Sequence, residues 1–242
     1  MNRENCEKLL TRGLDTIGID LDAKKINLLL DYLENFHKWN QAYNLSAIRE
    51  PEKMVSRHLL DSLVLVPYLK NYIEQFLSLD NDEEGKREFR LIDVGTGGGL
   101  PGFPLAIMFP NIKVTLLDSN GKKTRFLFQT ALKLGLQNIT VEHKRVEKFH
   151  PEDKFAIVTS RAFASLYDMV NGSRHLLSEN GEYWAMKGVY PEAELRDCSQ
   201  QAELIQAEKL TVPDGLSGET GPDNNKDSDQ EERYLIRLKP SL

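Results

Sequence analysis

Residues 90–102 read RLIDVGTGGGLPG. A short apolar run leads into five glycines within eight positions, and an apolar segment over residues 103–109 follows them. Glycines permit tight turns and let a ligand approach the backbone without interference from a Cβ atom. In an open parallel sheet, ligands bind beyond the carboxyl ends of the strands, where a loop of this kind lies. The stretch therefore predicts a strand, a ligand-binding loop and a helix.

The segments after this loop alternate between the patterns typical of strands and of helices. Strands are predicted over residues 90–94, 113–117, 139–142, 155–159 and 182–186, and helices over residues 103–109, 122–134 and 166–177. This alternation predicts an α/β fold with a mostly parallel, doubly wound sheet and helices on both faces. The last two predicted strands, 207–212 and 233–238, have no helix between them. They are therefore expected to form an antiparallel C-terminal hairpin.

The beginning of the chain has a different pattern. Apolar residues recur at helical spacing and predict helices over residues 3–17 and 22–40, and Pro51 starts another helical stretch that runs towards Phe76. The predicted organisation is an N-terminal helical extension (1–78), a polar linker (79–88) and an α/β domain (89–242).

The net charge of −6 is concentrated in one segment. Residues 213–232 carry seven acids and one base, which accounts for the whole excess. This composition predicts a flexible acidic loop within the α/β domain. The rest of the chain is neutral, which leaves room for a local basic face.

Composition also excludes several classes of protein. Hydrophobic residues make up 40% and charged residues 28%, the usual balance for a soluble domain. No apolar run reaches the roughly 18 residues of a membrane span, and the N-terminus lacks a secretory signal. Cys6 and Cys198 are far apart, and His37 and His58 have no metal-ligand spacing. We expect a cytoplasmic, monomeric protein without a metal and without membrane contact.

The glycine loop leaves two classes of cofactor open. The GxGxxG pattern over residues 97–102 matches the dinucleotide fingerprint, and Asp118 ends the next strand, where either cofactor class uses a carboxylate for ribose hydroxyls. Two features favour S-adenosylmethionine. Asp93 precedes the first glycine, which is unfavourable beside a pyrophosphate but suits a cationic methionine amine. Pro101 interrupts the stretch in which a dinucleotide fold presents helix N–H groups to phosphate.

The motifs resemble those of one family. DVGTGGGLPG, LLDSNGKKTRFL, RVEKF, SRAFASL and AMKG occur in this order, preceded by KWNQAYNLSAIREPEKM and RHLLDSL. Together they resemble the bacterial 16S ribosomal RNA guanine-N7 methyltransferases, also called glucose-inhibited division protein B. The resemblance covers about residues 10–212 and the closing YLIRL; residues 80–88 and 215–232 depart from it. It implies a Rossmann-like methyltransferase domain that uses S-adenosyl-L-methionine and acts on 16S rRNA of the small ribosomal subunit.

The predicted cofactor-binding residues come from the loop motif and from this resemblance: Gly95, Gly97, Leu100, Asp118, Val146, Glu147 and Arg161. By the resemblance, Gly95 and Leu100 line the methionine and ribose side, and Val146 and Glu147 contact the adenine. Arg161 lies at the boundary between cofactor and substrate. Glu147 also follows a basic run, so a solvated surface charge is the alternative.

The implied chemistry requires little from the protein. Guanine N7 bears a lone pair and no proton, so no general base is needed and we predict no catalytic acid–base residue. Methylation at pyrimidine C5 needs a cysteine nucleophile, and neither cysteine follows a strand at the ligand-binding edge. The enzyme has to hold the acceptor and the methyl group about 3 Å apart and in line.

Several polar residues are candidates for contact with RNA: Asn44, Arg57, His58, Lys122 and Lys187. Arg161 is expected to grip guanine O6 or a phosphate, and the alternative is an ion pair with a carboxylate such as Asp93. For each cation, an ordinary solvated charge is the alternative. Methylation of another RNA or of a small molecule, and a dinucleotide-binding module, also remain open.

Overall fold

The computed structural model describes residues 1–78, 88–161, 163–213 and 233–241. The predicted linker, except for Glu88, and the predicted acidic loop, except for Pro213, lie outside these residues.

A seven-stranded sheet forms the centre of the fold. Its strands are β1 (Arg90–Val94), β2 (Lys113–Asp118), β3 (Ile139–His143), β4 (Phe155–Ser160), β5 (Leu177–Lys187), β6 (Ala202–Leu210) and β7 (Arg233–Pro240). They lie in the order β3-β2-β1-β4-β5-β7-β6; β1 to β5 pair in parallel, and β7 is antiparallel to both β5 and β6. This confirms the predicted mostly parallel sheet with an antiparallel C-terminal hairpin.

Helices α6 (Gly102–Met108), α7 (Gly121–Leu134) and α8 (Leu166–Ser173) connect parallel strands, as predicted. A 3-10 turn (Val146–Lys148) lies between β3 and β4, and α9 (Glu192–Cys198) lies between β5 and β6. Asn120 caps α7, because its side chain accepts hydrogen bonds from the backbone of the first turn, and Gly135 ends the helix in the left-handed conformation. Helix α9 was not predicted.

The helical extension (residues 1–78) consists of α1 (Arg3–Thr16), α2 (Ala23–Tyr43), α3 (Pro51–Met54), a π-helical turn (Val55–Leu60), α4 (Asp61–Leu63) and α5 (Val66–Ser78). Side chains cap the first two helices: Asn2 accepts from the backbone of Asn5, and Asp22 accepts from that of Lys25. None of the described helices is long and apolar enough to cross a bilayer.

Alternating side chains of β1 divide the core between the two faces of the sheet. Leu91 belongs to a buried cluster that includes Leu33 of the extension and Phe103 of α6. Ile92 belongs to a second cluster on the other face, with Met169 of α8. The extension therefore shares a continuous core with one face of the sheet, and this packing brings α2 against the glycine loop.

Candidate active site

Hydrogen bonds to residues of β1 and β2 fix the glycine loop that follows β1. The Gly95 and Thr96 N–H groups donate to the carbonyl oxygen of Leu117 at 2.8 and 3.2 Å. The Asp93 carboxylate accepts from the Thr96 hydroxyl at 2.6 Å and from the Gly102 N–H at 2.9 Å. Gly95, with φ 67°, adopts a backbone conformation that favours glycine.

This position changes the interpretation of Asp93. We expected its carboxylate near a cationic methionine amine, but the residue is fully buried and lines neither of the two cavities beside the loop. Burial raises the pKa of Asp93 to about 6, although its hydrogen bonds with Thr96 and Gly102 oppose the shift. Asp93 therefore stabilises the loop through its hydrogen bonds with Thr96 and Gly102.

A cavity of about 390 Å³, the β3-side cavity, opens on one side of the loop. It is lined by Val94, Gly95, Leu117, Asp118, Ser119, Lys123, Lys144, Arg145, Val146, Glu147 and Phe163. The Asp118 carboxylate accepts from the Gly97 N–H at 2.9 Å and from the Asn120 N–H at 2.8 Å, so it is fixed at the end of β2. A carboxylate held there has lone pairs left to accept from ribose hydroxyls.

A second cavity of about 490 Å³, the extension-side cavity, lies between the loop and the helical extension. It is lined by Phe36, Leu45, Ser46, Arg57, His58, Asp61, Gly95, Thr96, Gly97, Gly98, Leu100, Lys123, Arg161, Met186, Lys187, Gly188 and Arg233. Gly95 and Lys123 line both cavities. The two cavities therefore meet at Gly95 and Lys123.

Helix α2 forms one wall of the site. The buried Tyr32 hydroxyl donates to the carbonyl oxygen of Gly98 at 2.7 Å. Phe36 packs so closely on the loop that a Cβ atom added at Gly98 would lie 2.1 Å from its ring. The sequence indicated the helix but not this contact, because nothing local to either segment specifies their packing.

Cationic side chains dominate the extension-side cavity. Arg57, Lys123, Arg161, Lys187 and Arg233 line it, and Asp61 is the one carboxylate among its described lining residues. Arg161 pairs with Asp61 at 2.6 Å, so its carboxylate partner is not Asp93, the example we considered. Arg233 contacts the same carboxylate, Nε to Oδ1, at 2.9 Å.

Sequence reasoning missed Asp61 and Arg233. The signal for Asp61 was available, since an acid inside the apolar run of residues 59–66 needs a partner when it is buried. No local signal marked Arg233.

His58 lines the same cavity as a buried side chain. Its Nδ1 lies 2.9 Å from the Arg57 carbonyl oxygen and its Nε2 lies 3.0 Å from the Ser46 hydroxyl. Burial lowers the pKa of His58 to about 4. At neutral pH it is therefore an uncharged part of the wall and not an exposed cation.

Two other predicted RNA-facing residues lie outside both cavities. Asn44 ends α2 in the left-handed conformation, and its side chain accepts from Arg49. Lys122 is exposed at the start of α7. Trp39, near the end of α2, packs between Tyr43 and Phe126, with ring centroids 5.0 and 5.7 Å away.

Lys187 lies at the end of β5 and lines the extension-side cavity. Its ammonium pairs with Glu194 of α9 at 2.7 Å, and the same carboxylate oxygen accepts from the Leu166 N–H at 2.7 Å. Within the described part of the chain, no group of three or more His, Cys, Asp or Glu residues is arranged to hold a metal ion.

The sheet order, the glycine loop after β1, the carboxylate after β2 and the paired cavities together define a Rossmann-like α/β domain with a nucleotide-type ligand site at the glycine loop.

Comparison with known proteins identifies the family. The model of the family described as rRNA small subunit methyltransferase G matches residues 25–220. Ribosomal RNA small subunit methyltransferase G of Cellvibrio japonicus is 50% identical over 205 residues, 85% of this chain and 88% of that protein. Its namesake in Pseudomonas aeruginosa is 49% identical over 210 residues, 87% of this chain and 90% of that protein. The chain belongs to the rRNA small subunit methyltransferase G family, which confirms the resemblance seen in the motifs.

Among solved structures, the N-methyltransferase NodS of Bradyrhizobium japonicum, in complex with S-adenosyl-l-homocysteine, superposes with a TM-score of 0.49 at 10% identity. The match covers 86% of this chain and 99% of that one.

Proposed function

We propose that this protein transfers the methyl group of S-adenosyl-L-methionine to N7 of a guanine in 16S rRNA of the small ribosomal subunit. The observation that carries the proposal is the junction of the two cavities at Gly95 and Lys123. A donor around the glycine loop and a base in the cationic extension-side cavity would meet at that junction.

The proposed cofactor site consists of the residues named from the sequence. Gly97, Leu100 and Arg161 line the extension-side cavity, and Asp118, Val146 and Glu147 line the β3-side cavity, with Gly95 in both. This division supports adenosine on the β3 side and methionine on the extension side. When bound, S-adenosylmethionine supplies a methyl group activated by its sulfonium charge.

The side chains in the extension-side cavity suit an acceptor that needs no deprotonation. Guanine N7 has a free lone pair, and His58, with a pKa of about 4, is a weak base at neutral pH. Arg57, Arg161 and Lys187 supply positive charge for phosphates and for guanine O6. These residues would bind and orient the base, and alignment with the methyl group would supply most of the rate enhancement.

Asn44 and Lys122 remain proposed RNA contacts outside the two cavities, where Lys122 would meet the backbone of a larger RNA surface. A cytoplasmic location and a monomeric enzyme stay predictions.

The test is methyl transfer from labelled S-adenosylmethionine to small subunits, and to free 16S rRNA, prepared from cells that lack the enzyme. We expect label in RNA as N7-methylguanosine. Label in another base, or transfer only to small molecules, would contradict the proposal. Binding of NADH in place of S-adenosylmethionine would favour a dinucleotide module instead.

The role of Arg161 is tested by Arg161→Lys, which keeps the charge but loses the planar guanidinium. We expect kcat/KM for RNA to fall about tenfold or more, corresponding to at least about 1.4 kcal/mol. The affinity for S-adenosylmethionine should fall far less, because Arg161 is proposed to lie at the boundary between cofactor and acceptor. Arg196→Lys is the matched control, because Arg196 is exposed on α9 and neither it nor its ion-pair partner Glu192 lines either cavity. Equal losses of RNA turnover and cofactor affinity would assign Arg161 to the cofactor alone.

A further inference from the structure

Asp61 joins the helical extension to two arginines of the sheet. It begins α4, while Arg161 follows β4 and Arg233 begins β7. Its two carboxylate oxygens are divided between them: Oδ2 lies 2.6 Å from Nη1 of Arg161, and Oδ1 lies 2.9 Å from Nε of Arg233. The Asp61 side chain is 5% exposed, whereas the two arginine side chains are 24% and 21% exposed.

This arrangement holds the guanidinium groups at fixed positions. Each guanidinium has five N–H donors in a rigid plane, so a bond at one nitrogen sets the direction of the others. A buried carboxylate is costly to desolvate unless it is paired, which favours keeping both arginines on Asp61. Arg161 and Arg233 are therefore held at defined places in the cavity wall.

The backbone before Asp61 is also unusual. The π-helical turn over Val55–Leu60 leads directly into it, and the Asp61 N–H donates into that turn. A π turn inserts an extra residue and so changes the direction in which the following side chains point; such turns are frequent at functional sites.

We propose that Asp61 is a positioning residue of the methyltransferase, which holds Arg161 and Arg233 in the geometry that receives the target guanine and its phosphate. The inference rests on the proposed function. It makes the helical extension a necessary part of the acceptor site, because the carboxylate that orients two arginines of the sheet edge comes from the extension.

Positioning and simple electrostatics predict different effects of an Asp61 substitution on turnover. Asp61 reduces the positive charge of a cavity that also contains Arg57, Lys123 and Lys187. If charge alone mattered, neutralising Asp61 would improve RNA binding and leave turnover unchanged. If positioning matters, the RNA still binds but its guanine is misaligned, so turnover falls.

The experiment compares Asp61→Asn with the wild-type protein under single-turnover conditions on small subunits. We expect the rate constant to fall tenfold or more, with the RNA KM unchanged or lower and the S-adenosylmethionine Kd within threefold of wild type. Asp61→Glu, which restores the charge, should recover part of the rate. Asp153→Asn is the matched control, because Asp153 also pairs with an arginine, Arg90 at 2.6 Å, but is largely exposed and lines neither cavity.

A second readout does not depend on RNA turnover. In the free protein, the ¹⁵N Nε–H resonance of Arg233 should be protected from exchange with water, and Asp61→Asn should shift it and speed its exchange. An Asn variant that turns over within twofold of wild type, or leaves this resonance unchanged, would overturn the proposal. If the wild-type protein fails to methylate guanine N7, the proposed function fails, while the resonance still decides whether Asp61 positions Arg233.

Discussion

Replacing Gly98 by alanine would place a methyl group in the contact between helix α2 and the glycine loop. The added Cβ atom would lie 2.1 Å from Cε2 of Phe36 and 3.0 Å from its Cζ. Gly98 does not have a positive φ, so the backbone itself tolerates alanine and the effect of the change is steric.

The structure gives the size of the effect. Carbon atoms in contact prefer separations of about 3.5–4.0 Å, so the ring or the loop must move by more than 1 Å. The Phe36 ring has little freedom to move, because rings of Tyr32, His58 and Phe126 surround it with centroids 5.3–6.0 Å away. Overpacking of this kind costs about 1–3 kcal/mol. If the loop yields instead, cofactor affinity falls about tenfold for each 1.4 kcal/mol.

Denaturant unfolding measures the loss of stability, and titration with S-adenosylmethionine measures the loss of cofactor affinity. Phe36→Leu in the same chain should relieve the clash, so the double variant should lose less stability than the sum of the single variants. Gly172→Ala is the control: its Cβ atom would meet only the Val146 side chain at 3.8 Å, and the change should stabilise α8 by about 0.5–1 kcal/mol. Unchanged stability and affinity in Gly98→Ala, or additive effects in the double variant, would refute the reasoning.

Two further predictions concern pH and the acidic segment. In the folded protein, the pKa of His58 is lowered to about 4 from its usual value of 6.5. The unfolded chain therefore binds a proton at His58 more readily than the folded protein does. The stability that the neutral ring contributes is lost as pH falls from 6.5 towards 4. From pH 7.5 to pH 5, the stability of His58→Gln relative to wild type should therefore improve by about 2 kcal/mol in unfolding titrations; a constant difference would show that His58 is not buried as a neutral group. The pKa of Asp93 is raised to about 6, so its contribution to stability changes with pH in the opposite direction. Asp93 is present in both proteins, so its contribution cancels in the comparison. Deletion of residues 218–229 should leave the melting temperature nearly unchanged. The described residues that flank the acidic segment are anchored: the Ser56 hydroxyl donates to the Pro213 carbonyl oxygen, and Arg233 pairs with Asp61. A large drop in melting temperature would show that the segment contributes to the core.

The parts of the fold that local pattern determines were predicted well. The strand, glycine loop and helix over residues 90–108 are encoded in consecutive residues, and Asp118 could be identified because it ends the adjacent strand. The bounds of β5 and β6 were predicted less accurately. Strand β5 begins at Leu177, in the polar LSENG, and β6 begins at Ala202, in a polar edge strand. Neither segment has the apolar alternation that marks a half-buried strand.

The acceptor side of the site depends on contacts between distant residues. Asp61 meets Arg161 and Arg233 across 100 and 172 positions of sequence, and Tyr32 reaches Gly98 across 66. The apolar neighbours of Asp61 indicate that it needs a partner, but nothing in a single sequence indicates which distant residue that partner is. Tertiary packing likewise determines that His58 lines the extension-side cavity as a buried side chain and that Asn44 lies outside both cavities.

The account depends most on the transfer of a methyl group to guanine N7 in 16S rRNA. Chemical cleavage at N7-methylguanosine, read by primer extension along the 16S rRNA, tests this in cells that lack the protein and in cells that carry it again on a plasmid. The account predicts one cleavage position that disappears without the protein, returns with the wild-type chain and stays weak with Asp61→Asn. An unchanged cleavage pattern in cells without the protein would contradict it.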